Sequence, residues 1–237
     1  MLCAVVPAAA QVTTITFMGR VTDQISGQGM AGVAIVAQGN QTGTRVVITD
    51  AQGNYNLPFG ANTEIKLRPY KTNVIFSPLA SGFVSVGAGS LTGTHIATFT
   101  GVSLPFPILI FAQPPILLTE DSSLNLLALD GLLQTRDPLP AQNSNYFVTD
   151  KRTRLNLFLV DLDLFSGETT SVITVQARDA QQTIYDLAVQ DLRKVPGFPW
   201  LVQLTAVLPI SLTGPRDLTV SVIVRGQVSN SATLHIK

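Results

Sequence analysis

Along most of the chain apolar and polar residues alternate with period two, and clusters of Gly, Asn, Asp or Pro interrupt the alternation about every 8 to 12 residues. That pattern predicts half-buried antiparallel strands joined by short turns. A first set is expected at Thr14–Val21, Val33–Ala37, Arg45–Thr49, Glu64–Pro69 and Ala97–Thr100. A second is expected at Arg154–Val160, Ser171–Arg178, Ile184–Val189, Leu201–Leu208, Leu218–Arg225 and Thr233–Lys237. Helical spacing is scarce. In Ser123 to Leu133 it competes with alternation: Leu126, Leu129 and Leu133 would share a helix face, whereas Leu124, Leu126 and Ala128 alternate. The strand reading is preferred because Gly131 would fall inside the helix. The expected fold is therefore all-β, two antiparallel β-sandwich domains in tandem.

Residues 101–115 have no period and are rich in proline, which sets a division into 1–10, 11–100, a linker at 101–115, and 116–237. Proline stiffens an extended connection, so the two halves are expected to be held apart as a rod. Pro105, Pro107, Pro114 and Pro115 also break the apolar run Leu104–Leu118, so it predicts no membrane insertion.

Composition narrows the class. Of 237 residues 46% are hydrophobic and 13% charged, against a usual share of charged residues of about 25%. Disorder is excluded on both counts. Fifteen basic residues balance fifteen acidic ones, leaving no field to hold nucleic acid. Residues 1–10 read as the remnant of a signal peptide, with small residues Ala8 and Ala10 placing cleavage before Gln11. Cys3, the single cysteine of the sequence, would leave with it, so no disulfide is expected.

Two linked motifs carry a resemblance. The stretch Gly19-Arg-Val-Thr-Asp23 leads through Gly27 and Gly29 to Met30 and Val33, and Thr49-Asp-Ala-Gln-Gly53 is followed by Tyr55. The first is a turn-rich connection flanked by apolar plugs, the second a tight turn whose glycine supplies positive φ. This spacing resembles the carboxypeptidase regulatory-like domain, a prealbumin-like sandwich related to the B-type repeats of bacterial adhesins. Ile65 to Pro69, Val74 to Pro78 and Phe99 match its continuation. The resemblance implies a structural module, extracellular and not catalytic. Some adhesin relatives carry a Lys–Asn crosslink, but the stretch Thr14–Val21 has no lysine, so none is expected here.

Farther along, Leu117 to Glu120, Ala128 to Asp130, Arg136 to Pro138, Asp150 to Leu155 and Ser166 to Glu168 follow one another, then Pro196 to Pro209 and Val222 to Asn230. That succession resembles Ig-like C-terminal modules of secreted bacterial proteins, which implies surface or secreted placement.

Candidate chemistry is sparse. His95 and His235 are the two histidines, neither beside a G-x-S-x-G elbow, so no triad is expected. Asp161 and Asp163 share a strand face with Glu168 five residues on, a candidate calcium site set against a plain solvated face. Asp23 and Asp50 are expected to cap their own turns. Gly87–Gly93 lacks the spacing and the Lys-Ser ending of a phosphate loop. Lys151, Arg152 and Arg154, with Arg136, form a basic cluster read as a solvated edge. Trp200 and Tyr70 are candidate sugar platforms, with Trp200 alternatively a core plug.

These readings predict a non-enzymatic, cofactor-free spacer or adhesive protein, secreted or at the cell surface. One alternative is a pair of carbohydrate-binding modules using Trp200 and Tyr70. Another is an extracellular filament subunit assembled by strand addition, the donated strand containing Thr14, Ile15, Thr16 and Phe17. Expected partners are protein or polysaccharide at the surface, or further copies of the chain, and not nucleic acid.

Overall fold

The computed structural model describes residues 14–85, 91–105 and 113–237. The signal-peptide stretch and Cys3 lie outside them, as do most of the glycine run and the middle of the proline-rich passage. The fold is all-β. Strands β1 (Ile15–Asp23), β4 (Asn54–Phe59), β6 (Val74–Ser77), β8 (Gly93–Ile96) and β9 (Phe99–Ser103) form one sheet, ordered β4-β1-β9-β6 with β8 also on β1. Strands β2 (Ala34–Gly39), β3 (Gly43–Ile48), β5 (Glu64–Tyr70) and β7 (Ser81–Val84) form a second, ordered β3-β2-β5-β7. Ile15, Phe17, Val33, Ile35, Leu57, Ile65, Leu67 and Phe99 fill the space between them. Gly53, at φ +80°, closes the turn that returns Tyr55 to this core, where its hydroxyl donates to the Ala97 carbonyl at 2.7 Å.

The remaining strands make the second sandwich. They are β10 (Ile116–Leu117), β11 (Ala128–Asp130), β12 (Arg154–Val160), β13 (Ile173–Arg178), β14 (Ile184–Val195), β15 (Phe198–Val207), β16 (Arg216–Val224), β17 (Gln227–Val228) and β18 (Ala232–Ile236). The order is β10-β12-β15-β14-β13-β16-β17, with β11 on β12 and β18 on β16. Strand β14 turns the corner. Its first residues pair with β13 and its later ones with β15, with a register shift between Val189 and Asp191, so one strand serves both layers. Leu155, Leu157, Leu159, Val175, Leu204, Val220, Val222 and Leu234 meet in the core.

In Ser123 to Leu133 the strand reading holds only for Ala128–Asp130, and Gly131 opens a turn. The N-terminal strand differs more. Strand β1 is antiparallel to β4 on one side and parallel to β8 and β9 on the other, so it is the centre of its sheet. Ile15 and Phe17 are fully buried. The picture of a detachable strand containing Thr14, Ile15, Thr16 and Phe17 gives way for that reason: lifting it out would unpair three strands and open the core.

The two halves are not held apart. Ala34, Val36 and Tyr70 of the first sandwich form a continuous apolar cluster with Ile116, Leu118 and Val160 of the second. Alternation explains the geometry: on β2, Ile35 and Ala37 face inward while Ala34 and Val36 face the partner sandwich. On β12, Leu155, Leu157 and Leu159 face inward while Phe158 and Val160 face outward to meet them. Four sheet layers are thus stacked. The cover includes Thr44 and Thr119, which exchange bonds, each backbone N–H donating to the other's hydroxyl at 2.8 Å. A Cβ on Gly43, beside them at φ +72°, would lie 2.0 Å from the Ser123 carbonyl oxygen.

Phe17→Ala removes a fully buried ring from the first core. It should cost about 3–5 kcal/mol, read as a lowered urea midpoint, whereas Thr16→Ala on the same strand should change it by no more than about 0.5 kcal/mol.

Candidate functional site

The greatest concentration of charge in contact between elements lies where the two sandwiches meet. Arg68, at 4% exposure, projects from the outer face of β5. Its Nη2 stands 3.2 Å from Asp161 Oδ2 and donates to the Pro114 carbonyl at 2.6 Å. Asp161 occupies the turn after β12 at φ +61°, a left-handed conformation that Asp tolerates better than most residues. Two residues on, Asp163 accepts from the Tyr70 hydroxyl and pairs with Lys194 Nζ at 2.5 Å. Lys194 also lies 5.8 Å from the Tyr70 ring centroid. Arg225 closes the outer side. Its Nε donates to Glu168 at 2.7 Å, its Nη2 to the Asp163 carbonyl at 2.7 Å, and its guanidinium covers the Phe165 ring at 4.0 Å.

The groups titrate as their surroundings dictate. Burial pushes the Asp161 carboxyl up to about 6, against the opposing pull of Arg68, and the neighbouring Asp163 charge adds to the rise. Burial and then Asp163 raise the Tyr70 hydroxyl, keeping it a proton donor. Burial lowers Arg68. The Arg225 bonds hold Glu168 down at about 2.

A cleft of about 790 Å³, solvent at its mouth included, opens beside this cluster, lined by Arg68, Tyr70, Phe76, Leu104, Phe165 and Arg225 among others. Arg68, Asp161, Asp163 and Arg225 at its edge each have a partner of opposite sign, while Lys71 donates to the Ala31 carbonyl at 2.7 Å. The three candidate calcium ligands are therefore engaged separately, Asp161 by Arg68, Asp163 by Lys194 and Glu168 by Arg225, and no group of three metal-ligating side chains gathers among the described residues. Neither proposed sugar platform is free either. The Tyr70 ring is 6% exposed within the contact between sandwiches, and Trp200 packs half-buried against the same cluster, edge-on to Phe198 at 6.0 Å.

The histidines stand apart. His95 packs against the Phe17 and Phe83 rings, which also touch each other, and His235 on β18 pairs with Asp217 at 2.6 Å. Asp23 accepts from the backbone of Ile25 and Ser26, and Asp50 from that of Gln52 and Asn54, so both cap their turns. Arg68, Lys194 and Arg225 escaped the sequence reading. Each sits at a polar position of an alternating strand or turn, where nothing marks the face as covered. The signal that could have found Arg68 lies elsewhere, in the unbroken apolar runs Val33–Ala37 and Leu157–Val160, which announce strands buried on both faces.

No family model matches the chain, and no curated protein does. Among solved structures it is similar to the major pilin subunit BcpA of Bacillus cereus, with a TM-score of 0.30 and 8% identity over 94% of this chain and 69% of that one. It is also similar to the shaft pilin SpaA of Lactobacillus rhamnosus GG, with a TM-score of 0.27 and 7% identity over 95% of this chain and 93% of that one.

Because the folded state raises the Asp161 pKa from 3.8 to about 6, it binds that proton more tightly than the unfolded chain does. The contribution is complete below 3.8 and lost as pH rises through about 6. Urea midpoints measured across that window should show wild type gaining stability relative to Asp161→Asn as pH falls, and a constant difference would contradict the assignment.

Proposed function

We propose that the chain is a non-enzymatic structural spacer or adhesive element acting at a cell surface or outside the cell. On this reading residues 11–100 form a carboxypeptidase regulatory-like module, 101–115 the linker and 116–237 an Ig-like module. The observation that carries the proposal is the face-to-face stacking of the two sandwiches through Ala34, Val36, Ile116, Leu118 and Val160. A spacer must transmit load without folding on itself, and a buried apolar contact removes the freedom of a simple tether. Burying a Val- or Leu-sized side chain contributes about 1.5–3 kcal/mol, so a handful of them outweighs the Arg68–Asp161 pair, whose desolvation offsets most of its attraction. The apolar patch supplies the strength, and the ion pair fixes the alignment.

A filament subunit is the second reading, and an edge favours it. Among the described residues β8 pairs with β1 alone, and Ile96 at its end is 76% exposed, so this edge offers backbone groups to an added strand. Strand β1 would be part of the receiving sheet rather than the donor. Light scattering over a concentration series should show ordered growth if this reading is right and a constant monomer mass if it is not.

The spacer reading predicts that small-angle scattering of the wild type fits one compact arrangement. Val36→Asp, which puts a carboxylate into the contact, should raise the radius of gyration while circular dichroism retains both sandwiches. Independent tumbling of the two modules in the wild type would defeat the proposal.

A further inference from the structure

Two hairpin tips of the second sandwich hold large apolar side chains in water. In the first, the Asp130 N–H donates to the Thr135 carbonyl and the Gln134 N–H to that of Asp130, leaving Leu132 and Leu133 at the tip, 51% and 43% exposed. In the second, Gln142 and Arg152 are bridged antiparallel and the Asn143 N–H donates to the Lys151 carbonyl. Its tip carries Phe147 and Val148, 105% and 48% exposed.

One carboxylate fastens both. Asp130 is fully buried, and its Oδ1 accepts from the N–H groups of Leu132 and Leu133, each at 2.8 Å. Its Oδ2 accepts from Asn143 Nδ2 at 3.2 Å and from the Tyr146 hydroxyl at 2.8 Å. The tips are thus neighbours, set in place before any partner arrives. Single exposed apolar residues are ordinary on a monomer, but here four stand on two turns anchored to the same carboxylate.

The return arms are basic. Arg136 follows the first tip, and Lys151, Arg152 and Arg154 follow the second. Asp150 pairs with Arg152 at 2.8 Å and Arg154 at 3.6 Å. Lys151 Nζ donates to the carbonyls of Ser144 and Tyr146, neutral groups that leave its charge in place. Convex apolar points need no matched surface when the partner is fluid, and cations behind them suit a layer of phosphates above hydrocarbon.

We propose that these paired tips dock peripherally on an anionic lipid surface, with Leu132, Leu133, Phe147 and Val148 entering the headgroup boundary and Arg136 and Lys151 meeting the phosphates. Docking of this kind requires neither the spacer role nor a spanning segment.

The test is co-sedimentation of the full chain with vesicles of phosphatidylcholine alone or mixed with phosphatidylglycerol. Wild type should bind the mixed vesicles only, less so as salt rises, and Phe147→Ser should weaken binding about tenfold with an unchanged melting temperature. Leu132→Ser, on the other tip, should act in the same direction. Three outcomes overturn the proposal: no binding to either vesicle, as an acidic protein partner would give; equal binding to neutral vesicles; or wild-type binding by Phe147→Ser.

Discussion

Strands β2 and β12 are buried on both faces over most of their length, and the remaining architecture follows from that. Strand β2 gives Ile35 and Ala37 to its own core while Ala34 and Val36 face the other sandwich, and β12 divides Leu155, Leu157 and Leu159 from Phe158 and Val160 in the same way. Because a strand presents alternate residues to opposite sides, such a strand must be apolar at consecutive positions, and each of its faces demands a cover. Neither sandwich can therefore present its inner-layer sheet to water without exposing an apolar patch. The proline-rich connection, whatever its stiffness, yields to that demand.

Polar groups inside this contact arrange it more than they strengthen it. Arg68 is almost fully covered and keeps Asp161 and the Pro114 carbonyl as partners, while its Nε is buried without one. A buried cation so placed tolerates little sliding, since a shift would strand it without its anion. Tyr70 and Lys194 meet at Asp163 near the rim and fix a second point, and the Thr44–Thr119 exchange fixes a third. With three separated points held, the stacked sheets have one register rather than a range of sliding arrangements.

The same economy of polar groups appears at the hairpin tips. Asp130 satisfies four donors from two turns and so shapes a surface it does not itself reach. Buried networks of this kind are costly when incomplete and specifying when complete. The contact between sandwiches sets the arrangement of the modules, and the tips present apolar side chains outward from one of them. Joining and presenting are thus assigned to different parts of the second sandwich.

Much of the fold was legible in the chain. Period-two alternation located β1, β2, β3, β5, β12, β13, β15, β16 and β18 to within a few residues, and turn chemistry placed Asp23, Asp50 and Gly53 correctly, because strands and turns are local consequences of side-chain order and backbone preference. Strands β7 and β8 were missed, being four residues long and amid glycine, with too few positions for a period to show. The candidate site was hardly legible. Asp161, Asp163 and Glu168 read as one cluster because sequence distance was short, but Arg68, Lys194 and Arg225 divide them among three pairs from 31 to 93 residues away. By itself the sequence determined an all-β chain of two apolar-cored sandwiches with few groups for chemistry. Only the tertiary structure decided that β1 is a central strand, that the sandwiches stack, and which charges meet, because those depend on which faces find each other across long separations in the chain.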